Sequence, residues 1–224
     1  MLRPKKRWGQ NFLIDSNVSK KIVSLLGDDS NETILEIGPG EGALTKLINA
    51  KSVIAIEIDS ELCKKLKDLN NPKLTVINDN VLKFDLSKIR FNKIIGNLPY
   101  NISSQIIFKI LEEHNWDEAI FMIQKELADR ILSKEGSRQY GRISVMIQSM
   151  CYVKKEFNVS HNCFFPKPDI QSTIISLKKK KRKDFNFKKL EKIVRMSFSQ
   201  RRKKLKNTLK VLADHNELKK FSDK

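Results

Sequence analysis

Over residues 1–177 short apolar runs alternate with segments whose apolar positions recur every three or four residues, the pattern of a doubly wound α/β sheet. Val18, Ile22, Val23, Leu25 and Leu26 share one helical face. Thr33 to Ile37 reads as a buried strand that runs into the turn Gly38-Pro39-Gly40-Glu41-Gly42, after which a helix is expected. Then come strand Val53 to Ile58, helix Ser60 to Leu69, strand Leu74 to Ile77, strand Lys93 to Asn97, helix Ser103 to Leu111 and strand Ala119 to Gln124. Five such strands predict a sheet of order 3-2-1-4-5. Helices are expected at Glu126 to Leu132 and Ile143 to Cys151, with Glu126 and Arg130 spaced as an ion pair. Tyr152 to Val159 and Ser172 to Lys178 read as a closing strand pair. Beyond the lysine run, Leu190, Ile193 and Val194 recur at helical spacing from Phe187, followed by a second helix around Leu205, Leu209 and Leu212. The pattern divides the chain into an α/β domain over 1–180 and a small basic helical domain over 181–224.

Charge sharpens that division. The chain holds 44 Lys and Arg against 26 Asp and Glu, a formal charge of +18. Residues 178–224 carry +14 of it, in Lys178 to Lys183 and in Arg201-Arg202-Lys203-Lys204 above all. A sequence pI near 9.8 with the charge gathered toward the ends is the footprint of a polyanion partner. Candidate phosphate contacts are Lys178, Lys179, Lys180, Lys181, Arg182, Arg201, Arg202, Lys203 and Lys204. The longest apolar runs fall far short of the roughly 20 residues of a membrane helix, and Met1 to Trp8 lacks the apolar stretch of a signal peptide, so a soluble cytoplasmic protein is expected. Cys63, Cys151 and Cys163 are widely spaced, which suits a reducing compartment. They form no metal motif, and His161-x-Cys163 has no partner pair.

Candidate chemistry lies at the carboxyl ends of the strands. The Gly38 to Gly42 turn lets backbone approach a ligand closely, with Gly38 and Gly40 as the nearest contacts. Gly38-x-Gly40-x-x-Ala43 also satisfies a dinucleotide fingerprint. Glu57, at the end of the second strand, can accept hydrogen bonds from two ribose hydroxyls under either reading. Asp79 follows the third strand, where a carboxylate can accept from an exocyclic adenine amine. Glycines and acceptors at successive strand ends, with no evident pyrophosphate contact, describe an adenosine site that S-adenosylmethionine fits.

The fourth strand runs into Asn97-Leu98-Pro99-Tyr100. In the order 3-2-1-4-5 the crevice opens between strands 1 and 4, which puts Asn97 beside the glycine turn. An adenine or glutamine amine is a poor nucleophile because its lone pair is delocalised. The Asn97 side-chain oxygen and the Leu98 carbonyl can each accept one of its N–H groups and turn the lone pair toward a sulfonium methyl. Pro99 keeps Leu98 extended and aims that carbonyl. Tyr100 offers a ring for stacking, worth roughly 1–3 kcal/mol per base.

With these motifs and Gly9-Gln10-Asn11-Phe12-Leu13, Gln124-Lys125-Glu126, Tyr140-Gly141-Arg142, Phe164 to Pro168 and Ser199 to Lys203, the chain resembles the rRNA adenine N6-dimethyltransferases of the KsgA type from about Lys6 to about Lys210. The resemblance implies a Rossmann-like class I S-adenosylmethionine-dependent methyltransferase sheet with a small C-terminal helical domain. It implies dimethylation of two adjacent adenosines near the 3′ end of small-subunit ribosomal RNA during ribosome biogenesis, with S-adenosylhomocysteine as product, by a monomer. It also implies roles: Asn11 and Leu13 at the methionine part of the cofactor, Gly38 near its sulfonium, Glu57 at the ribose, Asp79 at the adenine, and Asn97 at both cofactor and methyl site. Phe164 would stack on a flipped adenosine opposite Tyr100. Lys167 between the prolines is similar to the Erm methyltransferases of large-subunit rRNA, and Asp169 stands where the KsgA pattern has Lys. The C-terminal unit is shorter than is usual in the family. An Erm-like methyltransferase and an RNA-binding assembly factor with secondary methylation are the alternatives.

Overall fold

The computed structural model describes residues 4–5, 8–113, 116–181 and 186–199. Five parallel strands, β2 (Thr33–Ile37), β3 (Ser52–Glu57), β4 (Leu74–Asn78), β5 (Lys93–Asn97) and β6 (Glu118–Gln124), lie in the order β4-β3-β2-β5-β6. This is the predicted 3-2-1-4-5. The antiparallel strands β7 (Cys151–Val159) and β9 (Ser172–Lys179) extend it, with β9 between β6 and β7.

Side chains alternate across the sheet and are apolar on both faces, as expected for strands covered from both sides. Ile94, Phe121, Ile175 and Leu177 join one core with α3 (Ser103–Glu112), α4 (Lys125–Leu132) and α5 (Arg142–Met150). Ile95, Ile120, Met122 and Ile174 face the other core, under α1 (Ser16–Ser24). Asp15 caps α1 by accepting from the amides of Asn17 and Val18, so this helix begins two residues before the apolar face does. Asp59 caps α2 (Ser60–Lys67).

Three expectations need correction. No α-helix follows the glycine turn. Gly38, Gly40 and Gly42 all have positive φ, and residues 43–51 are too few for a helix and a return loop, so only a single 3₁₀ turn, Thr45–Leu47, forms before β3. Glu126 and Arg130 do not pair; the i,i+4 ion pair on α4 is Lys125–Asp129. The lysine run is not a free boundary either, because β9 continues into it. Lys179 Nζ donates to the Glu113 carbonyl over the Trp116 ring, and Lys180 Nζ donates to the Gln148 carbonyl at 2.7 Å beside Tyr152. Burial also lowers the pKa of Lys179. Those two cations hold structure, whereas Lys178 and Lys181 are exposed.

After the run, α6 (Phe187–Ser197) buries Phe187 and Val194 in the α3–α5 core, and Glu191 pairs with Arg142 of α5. The described part of the C-terminal segment is therefore packed on the α/β unit. Arg182, Arg201, Arg202, Lys203, Lys204 and the helix expected around Leu205 to Leu212 lie outside the described residues. Among the described residues no helix is long and apolar enough to cross a membrane.

Candidate active site

A crevice of about 240 Å³ opens at the carboxyl ends of β2, β3, β4 and β5, and Asn11, Leu13, Gly38, Gly40, Glu57, Asp79 and Asn97 through Tyr100 all line it. Strand order brings these residues together, and two glycines set how tightly. A Cβ on Gly96 would sit 2.7 Å from the Ile37 carbonyl oxygen, so this glycine lets β5 lie close to β2 just before the Asn97 motif. Gly40, at φ +58°, faces Phe12, whose ring a Cβ there would meet at 3.1 Å. The turn is thus a backbone cradle with an aromatic wall, not a helix N-terminus.

Phe12 belongs to a segment that the periodicity missed. β1 (Phe12–Leu13) pairs antiparallel with β8 (Phe164–Phe165), Phe12 opposite Phe165 and Leu13 opposite Phe164. Opposed residues share a face. Leu13 and Phe164 accordingly join the α1-side core, where Phe164 is only 3 % exposed and does not line the crevice. In this structure Phe164, the ring expected to stack opposite Tyr100, is thus packed in this core, and Phe165, 48 % exposed, is the more open ring. The segment before β1 is latched to α2: Lys5 Nζ donates to Asp59 Oδ1 at 2.9 Å and Gln10 Nε2 to Asp59 Oδ2 at 3.2 Å. Burial acts to raise the Asp59 pKa, but these donors hold it below the usual carboxylate value.

Glu57, 5 % exposed, accepts from Gly40 N at 3.1 Å and from Asp59 N at 2.9 Å. Burial pushes its pKa up, and the two amides work against the shift. A carboxylate retains lone pairs beyond those two bonds, so hydroxyl donors can still be received. Asp79 stands exposed at the rim, accepting from Asn80 N at 2.6 Å. Asn97 Nδ2 donates to the Asn11 carbonyl at 2.9 Å, which fixes the amide and leaves Oδ1 as an acceptor. Ser103 Oγ bonds the Pro99 carbonyl at 2.8 Å and only grazes that of Leu98 at 3.4 Å. The Leu98 carbonyl therefore keeps accepting capacity. Tyr100 is tied to Ser172 of β9 by a 2.6 Å hydroxyl–hydroxyl bond, and burial raises its pKa.

One further residue of the crevice, on β2 just before the glycine turn, drew no role from the sequence. Glu36, 1 % exposed, lines the crevice, and its Oε2 has no hydrogen-bond partner. Burial pushes its pKa up to about 7.

A profile of the ribosomal RNA adenine dimethylases matches residues 1–224. The chain belongs to this family. It is 47 % identical over 211 residues to the ribosomal RNA small subunit methyltransferase A of Malacoplasma penetrans (strain HF-2), covering 92 % of this chain and 77 % of that one. To the protein of the same description from Mycoplasmopsis pulmonis (strain UAB CTIP) it is 41 % identical over 225 residues, 98 % of this chain and 89 % of the relative. Among solved structures, a dimethyladenosine transferase from Plasmodium falciparum superposes with a TM-score of 0.81 at 32 % identity, over 89 % of this chain and 74 % of that one. The 23S rRNA methyltransferase ErmE superposes with a TM-score of 0.74 at 25 % identity, over 95 % and 89 %. By family this chain is an rRNA adenine dimethyltransferase, with the class I sheet of S-adenosylmethionine-dependent methyltransferases. The crevice fits that cofactor chemically: it offers a glycine cradle, ribose-type acceptors at Glu57 and an unpartnered buried carboxyl oxygen at Glu36.

Proposed function

We propose that the chain transfers methyl groups from S-adenosylmethionine to N6 of two adjacent adenosines near the 3′ end of small-subunit (16S) ribosomal RNA, giving N6,N6-dimethyladenosine during ribosome biogenesis. The observation that carries this reading is Asn97: its Nδ2 is committed to the Asn11 carbonyl, so its Oδ1 remains to accept an N–H beside the glycine cradle. Its relatives at 41 to 47 % identity are described as small-subunit methyltransferases, which favours that subunit over the large one.

When bound, S-adenosylmethionine supplies an electrophilic methyl on a sulfonium. Asn97 Oδ1 and the Leu98 carbonyl accept the two N–H bonds of the adenine amine and turn its lone pair out of conjugation. Tyr100 holds the base plane, its hydroxyl steadied by Ser172. Glu57 receives the ribose hydroxyls, Asp79 the adenine amine of the cofactor, and Asn11, Leu13, Gly38 and Gly40 enclose its methionine arm. No strong base is required, since the transferred methyl makes the amine acidic; alignment in a water-poor crevice supplies most of the rate. Residues 1–180 act as the catalytic unit. The basic remainder, with Lys178 and Lys181, positions phosphate backbone without reading the base. The protein works in the cytoplasm as a monomer.

Labelled cofactor with undermethylated small subunits, followed by mapping of the modified nucleotides, tests the reading. Label in two adjacent adenines of small-subunit RNA is expected. Label in a large-subunit adenine would transfer the assignment to the Erm-like alternative, which the ErmE likeness keeps specific. No label despite cofactor binding would leave an RNA-binding assembly role.

A further inference from the structure

Four carboxylic acids line the crevice, Glu36, Glu41, Glu57 and Asp79, and no lysine, arginine or histidine is among its described lining residues. Three of the four have company. Glu41 pairs with Lys65, and its carbonyl takes Lys46 Nζ at 3.1 Å. Both Glu57 oxygens accept backbone amides, and Asp79 is exposed to water. Glu36 is different: its Oε2 is buried without a partner, and so is the hydroxyl of neighbouring Thr45. An ionised carboxylate there, next to Glu57, would be an uncompensated buried charge. In the ligand-free protein burial therefore keeps the acid form below about pH 7.

A cavity of negative character with one neutralised acid answers to the charge of whatever fills it. S-adenosylmethionine brings a sulfonium, an ammonium and a carboxylate, net +1. The product thioether lacks the sulfonium and is net neutral. On the reading that this crevice binds that cofactor, we propose that Glu36 is the residue by which it distinguishes sulfonium cofactor from thioether product, ionising when a net-positive ligand fills the cavity and regaining its proton when that charge is gone. The protons balance. One leaves Glu36 for solvent as the cofactor binds, one leaves the acceptor amine as its nitrogen gains the methyl, and one returns to Glu36 with the neutral product, so a turnover releases one proton net. Glu36 touches no acceptor atom in this scheme; it sets which ligand the crevice prefers.

Of the ionisable groups around Glu36, Glu57 on β3 also has its pKa raised by burial against two amides, so the Glu36→Gln variant is what separates the two titrations, and Asp59 beyond it is held ionised by Lys5 and Gln10. The Cys63 thiol on α2 is pushed by burial up to about 11 and keeps its proton throughout. With Glu36 at about 7, a ligand that requires its ionised form should bind about tenfold more tightly at pH 8 than at pH 6.

The test is calorimetry with three ligands, S-adenosylmethionine, S-adenosylhomocysteine and sinefungin, whose amine puts a positive charge in place of the sulfonium. For the wild type the affinities for S-adenosylmethionine and sinefungin should rise about tenfold from pH 6 to pH 8, and that for S-adenosylhomocysteine less than about twofold. At pH 6.5, titrations in two buffers of unlike ionisation enthalpy should report roughly three-quarters of a proton released per S-adenosylmethionine. Glu36→Gln should abolish the release, flatten the pH profile and weaken both charged ligands about tenfold relative to S-adenosylhomocysteine at pH 8. Thr45→Val, which leaves Glu36 in place but removes the neighbouring hydroxyl free to turn to its ionised form, should move the midpoint of the profile upward. Equal pH dependence for cofactor and product, or a profile that neither variant alters, overturns the proposal. If the wild type binds none of the three ligands, the cofactor reading itself fails and takes the proposal with it.

Discussion

Gly96→Ala isolates the contact that sets the distance between the two halves of the active site. The added methyl would lie 2.7 Å from the Ile37 carbonyl oxygen and 3.0 Å from Leu98 Cδ2. The side chain can turn away, but the carbonyl is backbone of β2, where Ile37 is held in register with Ile56 of β3, and cannot. A carbon against a carbonyl oxygen normally rests at roughly 3.3 Å or beyond, so the strands must part locally by about 0.6 Å. Overpacking of this kind costs about 1–3 kcal/mol of stability. The displacement falls between Gly38, proposed to hold the cofactor, and Asn97, proposed to hold the acceptor amine. A misplacement approaching 1 Å at reacting groups costs on the order of 100-fold in rate. Methyl transfer should therefore fall by about one to two orders of magnitude at temperatures where circular dichroism and urea titration show the variant folded. Ile95→Val on the same strand removes one methylene from the opposite core, which costs about 0.5–1.5 kcal/mol. It should spare the rate. If Gly96→Ala transfers methyl at the wild-type rate, or if Ile95→Val loses as much activity, the close approach of β5 to β2 does not set the geometry of transfer.

Other expectations follow from individual groups. Asn97→Asp keeps an oxygen but loses the donor to the Asn11 carbonyl and adds a charge; transfer measured with labelled cofactor should drop by about 100-fold or more. Glu36 has a folded-state pKa raised by burial to about 7, so the stability it contributes is present below its unfolded value and is lost as pH rises through 7. Thermal melts of ligand-free Glu36→Gln and wild type from pH 5 to 8 should therefore diverge in favour of the variant, by up to about 3 kcal/mol. Replacing both Lys178 and Lys181 by Gln should flatten the salt dependence of RNA binding by about one to two counterions and leave cofactor affinity unchanged.

The parallel strands were readable because their residues are apolar on both faces, and their order because the glycine turn, Glu57, Asp79 and Asn97 mark successive strand ends. What escaped the sequence was decided by pairing across long separations. Two residues, Phe12 and Leu13, carry no period of their own, and only their register with Phe165 and Phe164 shows which phenylalanine turns inward. A one-residue difference in a strand exchanges its faces. The lysine run misled by composition, because Lys179 and Lys180 are long enough to reach backbone carbonyls while their charge suggests solvent. Glu36 stands beside a glycine turn legible at once, yet only the lack of a hydrogen bond at its Oε2 marks it as unlike Glu57.

The position of β9 bears on how the protein comes into being. It is the last strand of the sheet to leave the ribosome, yet it lies between β6 and β7, and its Ser172 steadies Tyr100. Until residues 172–179 emerge, a nascent chain has the hydrogen-bonding edge of β6 open, with β7 unattached to it. β1 likewise waits for β8 before it can roof the cofactor crevice. Synthesis therefore passes through a long interval in which most of the sheet exists without a working site, exposed to mispairing at that edge. Methylating competence should appear abruptly with the arrival of one inserted strand rather than grow as successive elements are translated.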